Sequence, residues 1–192
     1  MYNINKFPII ILSSPRTGSN LLSKILSNNY PNLKLFSEPD ENNNMQNFIE
    51  YASNSNQYIL KFHLKQFSKF PPNVIKKIFS NDAFLIRIRR RNIIAQMVSM
   101  YIELCRGVWE YFPDTLEKHK DEKIIIDHDT INIAIQTVKN YNNYIDTVKI
   151  NYDLNLYYED LVEEFADISP TIITPKPINH DEIYRAIKSQ LR

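Results

Sequence analysis

The sequence predicts a three-layer α/β sandwich, with a mostly parallel sheet between two layers of helices. Three observations carry this. Strand-like and helix-like runs alternate along the whole chain, which is the pattern of an α/β sheet. The first run, Phe7-Pro8-Ile9-Ile10-Ile11-Leu12, is continuously apolar and rich in β-branched residues, as in a parallel strand covered on both faces. A short loop then leads into apolar residues at helical spacing, Leu21, Leu22, Ile25 and Leu26.

The remaining elements follow in order. Ser13 to Ser19 is a turn-rich loop, and a helix starts near Ser19. Leu33 to Phe36 reads as a short second strand, ended by Glu38-Pro39-Asp40, and an Asn-rich loop precedes a helix over Met45 to Ala52. Tyr58 to His63 is a third strand. Pro71-Pro72 opens a helix through Val74, Ile75 and Ile78, because proline suits a first turn. Ala83 to Ile88 is a fourth strand, closed by Arg89-Arg90-Arg91-Asn92. A helix over Ile93 to Leu104 presents Ile93, Met97, Met100, Tyr101 and Leu104 as its apolar stripe. Thr130 to Val148 is a helix, Leu154 to Tyr158 the last strand, and Ile183 to Leu191 a terminal helix. Phe112 to Asp129 reads as a charged, flexible insertion. No repeat or linker divides the chain, so residues 1–192 are expected to form one domain.

Composition narrows the function. The chain has 192 residues and a formal net charge of +1, too balanced for a dedicated nucleic-acid binder. No stretch approaches the roughly 20 apolar residues of a membrane helix. The apolar run at Phe7 to Leu12 is too short for a signal-peptide core. One cysteine, Cys105, rules out an intrachain disulfide and is expected in the core of its helix. These points favour a soluble, cytoplasmic protein. Glycine is scarce, with only Gly18 and Gly107, so each is expected where the backbone requires it.

The loop after the first strand is the main functional signal. A buried strand, a glycine-containing loop and a helix that starts with hydroxyl residues make an anion site, because the first helical N–H groups point outward beside the positive end of the dipole. Gly18 allows close backbone approach, and Arg16, Thr17 and Ser19 add donors. The sequence has no G-K-[S/T], so the usual Mg·ATP loop is absent.

Ser13-Ser14-Pro15-Arg16-Thr17-Gly18-Ser19-Asn20-Leu21-Leu22 resembles the 5′-phosphosulfate-binding loop of sulfotransferases. The bacterial carbohydrate enzymes carry a similar P-R-S/T-G-S-N-L-L, and the cytosolic enzymes have lysine where Arg16 stands. The family also holds the 3′-phosphate of its donor with an arginine after a strand and a serine eight positions on. Arg91 and Ser99 stand at that spacing, in the family's order and after a predicted strand. A guanidinium fork and a hydroxyl suit a phosphate. Leu60-Lys61-Phe62-His63-Leu64 resembles the L-K-T-H-L of cytosolic sulfotransferases, whose histidine is the base. Tyr158-Glu159-Asp160-Leu161 resembles the Y-E-D-L near the family's last core strand and is expected to be structural. The tryptophan near Leu21 that stacks on adenine in the cytosolic enzymes has no counterpart, nor does their C-terminal R-K-G segment.

The resemblance implies a P-loop-like sulfotransferase that moves a sulfuryl group from 3′-phosphoadenosine 5′-phosphosulfate (PAPS) to a hydroxyl acceptor, a carbohydrate or other small molecule, without a metal. Pro15, Arg16, Thr17, Gly18, Ser19 and Asn20 would hold the phosphosulfate, and Arg91 and Ser99 the far phosphate. Arg16 would also stabilise charge during transfer. Two residues are candidate bases. His63 ends the third strand, where open α/β sheets bind ligands, and an ordinary histidine titrates at about pH 6.5. Glu38 resembles the glutamate base of the carbohydrate enzymes. Two alternatives stay open: a nucleotide kinase-like protein, and a non-catalytic homologue that binds PAP or a partner. Asp127-His128-Asp129 is a poor metal site, since adjacent residues rarely face one ion. Tyr141, Tyr144 and Tyr152 are expected to pack on helix faces, and Trp109 and Gly107 to serve acceptor binding or lid packing.

Overall fold

The structure, a computed structural model, describes residues 3–39, 44–107, 119, 121–165 and 176–191. Five strands form one sheet: β1 (Ile9–Ser13), β2 (Lys34–Ser37), β3 (Tyr58–His63), β4 (Phe84–Arg89) and β5 (Leu154–Tyr157). Their order is β2-β3-β1-β4-β5, and every pairing is parallel. β1 lies at the centre with all five residues buried, which accounts for its unbroken apolar run. The edge strand β2 is short and half exposed.

Seven α-helices are present among the described residues: α1 (Ser19–Asn29), α2 (Met45–Asn54), α3 (Pro72–Ile78), α4 (Ile93–Arg106), α5 (His128–Thr147), α6 (Tyr158–Glu164) and α7 (His180–Gln190). A 3₁₀ segment, Leu64–Lys69, follows β3. Because side chains alternate along a strand, β1 feeds two cores. Ile10 and Leu12 join Phe48, Tyr58, Leu60, Phe62 and Val74 under α2 and α3. Ile9 and Ile11 join Leu22, Ile25, Leu26, Ile59 and Ile88 under α1 and α6. A third cluster packs α4, α5 and α7 together through Met97, Tyr101, Ile131, Val138 and Ile183. The predicted three layers are therefore present.

Five expectations need adjustment. Tyr158 does not end the last strand. It opens α6, which the sequence did not signal. The buried face of α4 is wider than the expected stripe: Met97, Met100 and Tyr101 are buried as expected, Ile93 is 39% exposed, and the polar Gln96 and Glu103 are fully buried as well. Those two side chains face the loop after β1, and that contact, not apolar periodicity, accounts for their burial. Cys105 is exposed, lying off that buried face. Tyr141 is not simple helix-face packing, since it lines the cavity described below. Of the expected flexible stretch at 112–129, residues 112–118 and 120 fall outside the described residues, as does Trp109, while the part from 121 onward is held down, with Ile124 buried and its backbone hydrogen-bonded to Asn179. Gly107 caps α4 in the left-handed conformation, with φ 64°, as glycine commonly does at a helix end.

Candidate active site

All five strands deliver a residue to one cavity at their carboxyl ends. Its volume is about 700 Å³. The loop after β1 forms one wall with Arg16, Gly18, Ser19 and Asn20. Gly18 adopts φ 84° and caps α1 without a side-chain hydrogen bond. The first-turn N–H groups of α1 are therefore not taken by a capping side chain. Glycine is needed there twice over. The conformation is left-handed, and a Cβ would sit 2.2 Å from Cδ2 of Tyr158. Arg16 is also left-handed, with φ 63°, a region that a residue with a side chain seldom enters. The loop is braced from within and from α4. Thr17 Oγ1 donates to the Ser14 carbonyl at 2.9 Å, and Gln96 Nε2 donates to the Pro15 carbonyl at 2.6 Å.

A second wall carries both candidate bases. Lys61 and His63 lie two residues apart on β3 and so face the same side. Glu38, one residue beyond β2 and with φ 47°, turns its carboxylate onto both. Its Oε1 lies 2.6 Å from Lys61 Nζ and 3.3 Å from His63 Nε2. Lys61 also donates to Asn20 Oδ1 of α1. On the far side of the imidazole, Nδ1 lies 2.9 Å from the Ser13 carbonyl and 3.2 Å from Ser13 Oγ. A carbonyl can only accept, so Nδ1 carries a hydrogen in that contact and Nε2 is turned to Glu38. Tyr141 of α5 packs edge-on against the ring, with centroids 5.7 Å apart. Burial alone would raise the pKa of Glu38. The hydrogen bond and charge of His63, followed by Lys61, outweigh burial and hold the carboxyl well below the usual carboxylate range.

The arginines divide between the cavity and its outside. Arg16 turns onto α4, where Nε donates to Ser99 Oγ at 3.1 Å and Nη2 to the buried Glu103 Oε1 at 2.9 Å. Ser99 and Glu103 are one helical turn apart, so they meet the same guanidinium. Arg90 lines the cavity, stacks over the Tyr158 ring at 4.6 Å, and donates from Nη1 towards the Arg16 carbonyl at 3.4 Å. Burial lowers its pKa. Arg91 points away from the cavity. Its fork pairs with both oxygens of Asp160, and it stacks over Tyr157 at 4.2 Å.

The structure thus brings Pro15, Arg16, Gly18, Ser19, Asn20, Glu38, His63 and Ser99 to one cavity, with Thr17 buried in the loop behind them. Arg91 does not join them. The segment Tyr158-Glu159-Asp160 explains why: each residue takes a separate partner from the turn after β4. Tyr158 takes the Arg90 side chain, Glu159 accepts from the backbone N–H groups of Arg91 and Asn92 at 3.1 Å, and Asp160 takes the Arg91 side chain. Lys61, Arg90, Tyr141 and Tyr158 line the cavity without having been assigned to it from sequence. Lys61 did carry a signal, as a lone charge in a strand that is otherwise apolar until its terminal His63. Arg90 carried none beyond its place in a run of three arginines.

Among the described residues, no group of three His, Cys, Asp or Glu side chains could hold a metal ion. Asp127 instead caps α5, where its carboxylate accepts from Thr130 N at 2.8 Å, the usual work of an aspartate at that position. No described helix is long and apolar enough to cross a membrane.

No protein-family model matches the chain, and no curated protein does. Among solved structures, the chain is similar to the crystal structure of mouse sulfotransferase SULT7A1 complexed with PAP. The two are 18% identical with a TM-score of 0.42, and the match covers 97% of this chain and 66% of that one.

Proposed function

We propose that the cavity binds PAPS and that the chain transfers its sulfuryl group to a hydroxyl acceptor, a carbohydrate or other small molecule. One observation carries the reading. The anion loop of residues 15–20 and the candidate base pair Glu38–His63 come from separate strands, yet they line the same cavity. The loop fits a phosphosulfate: Gly18 makes the left-handed turn into α1, whose first turn offers N–H groups not taken by a capping side chain. Bound PAPS supplies an activated sulfuryl group, whose bond to the 5′-phosphate oxygen breaks as the acceptor oxygen takes the sulfur.

The residues have separable tasks. The amides of Thr17, Gly18 and Ser19 face the 5′-phosphosulfate, with Arg16 beside them to offset charge on the leaving phosphate. Ser99 serves the far phosphate, while Arg91, its partner by the family spacing, is turned out of the cavity onto Asp160. The acceptor's proton passes to the Glu38–His63 pair, which acts as one unit because the two side chains touch. Lys61 holds Glu38 in place.

A thermal-shift titration tests the reading. PAP at about 100 times its dissociation constant should stabilise the fold by about 2.7 kcal/mol, several degrees at this chain length. ATP with magnesium should do far less. Labelled PAPS with a panel of sugar, phenol and peptide-tyrosine acceptors then tests turnover. Stabilisation by Mg·ATP and not by PAP would establish the kinase reading instead. PAP binding with no turnover, unaffected by changes at His63 or Glu38, would establish a non-catalytic binder.

A further inference from the structure

Among the described residues, more cations than carboxylates line the cavity. Arg16, Lys61, Arg90 and Lys176 line it, against a single lining carboxylate among the described residues, Glu38. Glu38 is already paired with Lys61, and Arg16 with Glu103. Arg90 has no such bonded partner: no described carboxylate hydrogen-bonds to it, and its buried Nε has no hydrogen-bond partner among the described residues. Glu159 acts on Arg90 through its charge alone, since its two oxygens are committed to the backbone N–H groups of Arg91 and Asn92. What holds Arg90 is a ring face, Tyr158, and one long contact to the Arg16 carbonyl. Stacking fixes the plane of the guanidinium but leaves its fork without an acceptor. A cation drawn out of water without a hydrogen-bonded counter-charge is costly, and an oxyanion from solution would offset that cost.

We propose that Arg90, and not Arg91, is the guanidinium that binds a phosphate group of the ligand, together with Ser99 across the cavity. Arg91 instead pins the turn after β4 to α6 through its fork on Asp160. The identity of the ligand as PAP rests on the proposed function, whereas the oxyanion site rests on Arg90 alone.

The test is calorimetric titration of the full chain with PAP, and separately with inorganic pyrophosphate, using wild type, Arg90→Gln, Arg90→Lys and Arg91→Gln. Arg90→Gln should weaken PAP binding about tenfold or more, the range expected for charged hydrogen bonds. Arg90→Lys should recover only part, because an ammonium lacks the fork. Arg91→Gln should stay within about threefold, since it breaks an exposed pair. Loss confined to Arg91→Gln, or equal in both glutamine variants, overturns the inference. If wild type ignores PAP, the cofactor reading fails and pyrophosphate decides. Binding that Arg90→Gln abolishes upholds the oxyanion site. Absent binding, or binding that Arg90→Gln leaves untouched, refutes it. Should Arg90→Gln fail to fold, Arg90→Lys keeps the stem and the charge, and unchanged affinity in that variant counts against the inference.

Discussion

Lys61 Nζ lies 2.6 Å from Glu38 Oε1, joining a lysine that is 2% exposed to a carboxylate that is 35% exposed. Strand register produces this pair. Ser37 of β2 is the partner of Lys61 on β3, so Glu38 stands one step beyond the lysine, and its left-handed backbone brings the side chain back. Having reached Lys61, the same oxygen meets His63, because the two side chains share a face of β3. A lysine in a buried strand is thereby charge-balanced, and the carboxylate is fixed beside the imidazole.

Lys61→Met keeps the apolar stem and removes the charge. Asn20 and Glu38 both lose a donor, although Glu38 retains access to water. The expected cost is about 1–3 kcal/mol, below that of breaking a fully buried pair. The Glu38 carboxyl should also move back up towards the usual range. Urea unfolding measures the first effect, and NMR titration of Glu38 side-chain carbon shifts the second. A Glu38 titration identical to wild type would show that Lys61 does not hold it.

Acid stability should report the same cluster. The folded pKa of Glu38 lies below its unfolded value of 4.5. The unfolded state therefore binds the proton more readily, and the stability that Glu38 contributes is present in full above about pH 4.5. It is lost as the pH falls from 4.5 towards the folded value. Other depressed carboxylates, including Asp153 and Glu159, add to the total slope, so the comparison is between wild type and Glu38→Gln. Wild type should lose its advantage over the variant as the pH drops below about 4.5. A constant difference in unfolding free energy between pH 6 and pH 3 would refute this.

The parts of the fold that were legible in sequence are those where local pattern and tertiary demand agree. β1 is apolar throughout because neighbours and helices cover both its faces, and the run of Ile9 to Leu12 says so without further information. The loop was legible because Gly18 is one of two glycines and stands between a strand and a helix. Side-chain direction was not legible. Arg90 and Arg91 are adjacent and chemically identical, and their separation into cavity and surface depends on Tyr158 and Asp160, far along the chain. The polar part of the buried face of α4 was hidden for a related reason. Gln96 and Glu103 read as solvent residues on a helical wheel, yet they are buried because the loop supplies Pro15 and Arg16 as partners.

Gly18 gives the sharpest test of the loop, because Gly107 serves as its control. Both glycines have positive φ, 84° at Gly18 and 64° at Gly107. Alanine at either position therefore carries the left-handed backbone penalty of about 1–2 kcal/mol. Only Gly18 adds a steric conflict. Its Cβ would fall 2.2 Å from the Tyr158 ring, whereas nothing among the described residues lies within 4 Å at Gly107. Overpacking of that kind adds roughly 1–3 kcal/mol. Gly18→Ala should therefore cost about 2–4 kcal/mol and Gly107→Ala about 1–2 kcal/mol. Truncating the ring separates the two contributions. In a Tyr158→Ala background, Gly18→Ala should cost no more than Gly107→Ala does, and a double-mutant cycle by urea unfolding measures the difference as a coupling between residues 18 and 158. Additive costs would mean that the ring does not abut the loop. A coupling of about 1 kcal/mol or more, as expected for residues in contact, would confirm that Tyr158 closes the loop while its other neighbour, Arg90, reaches into the cavity.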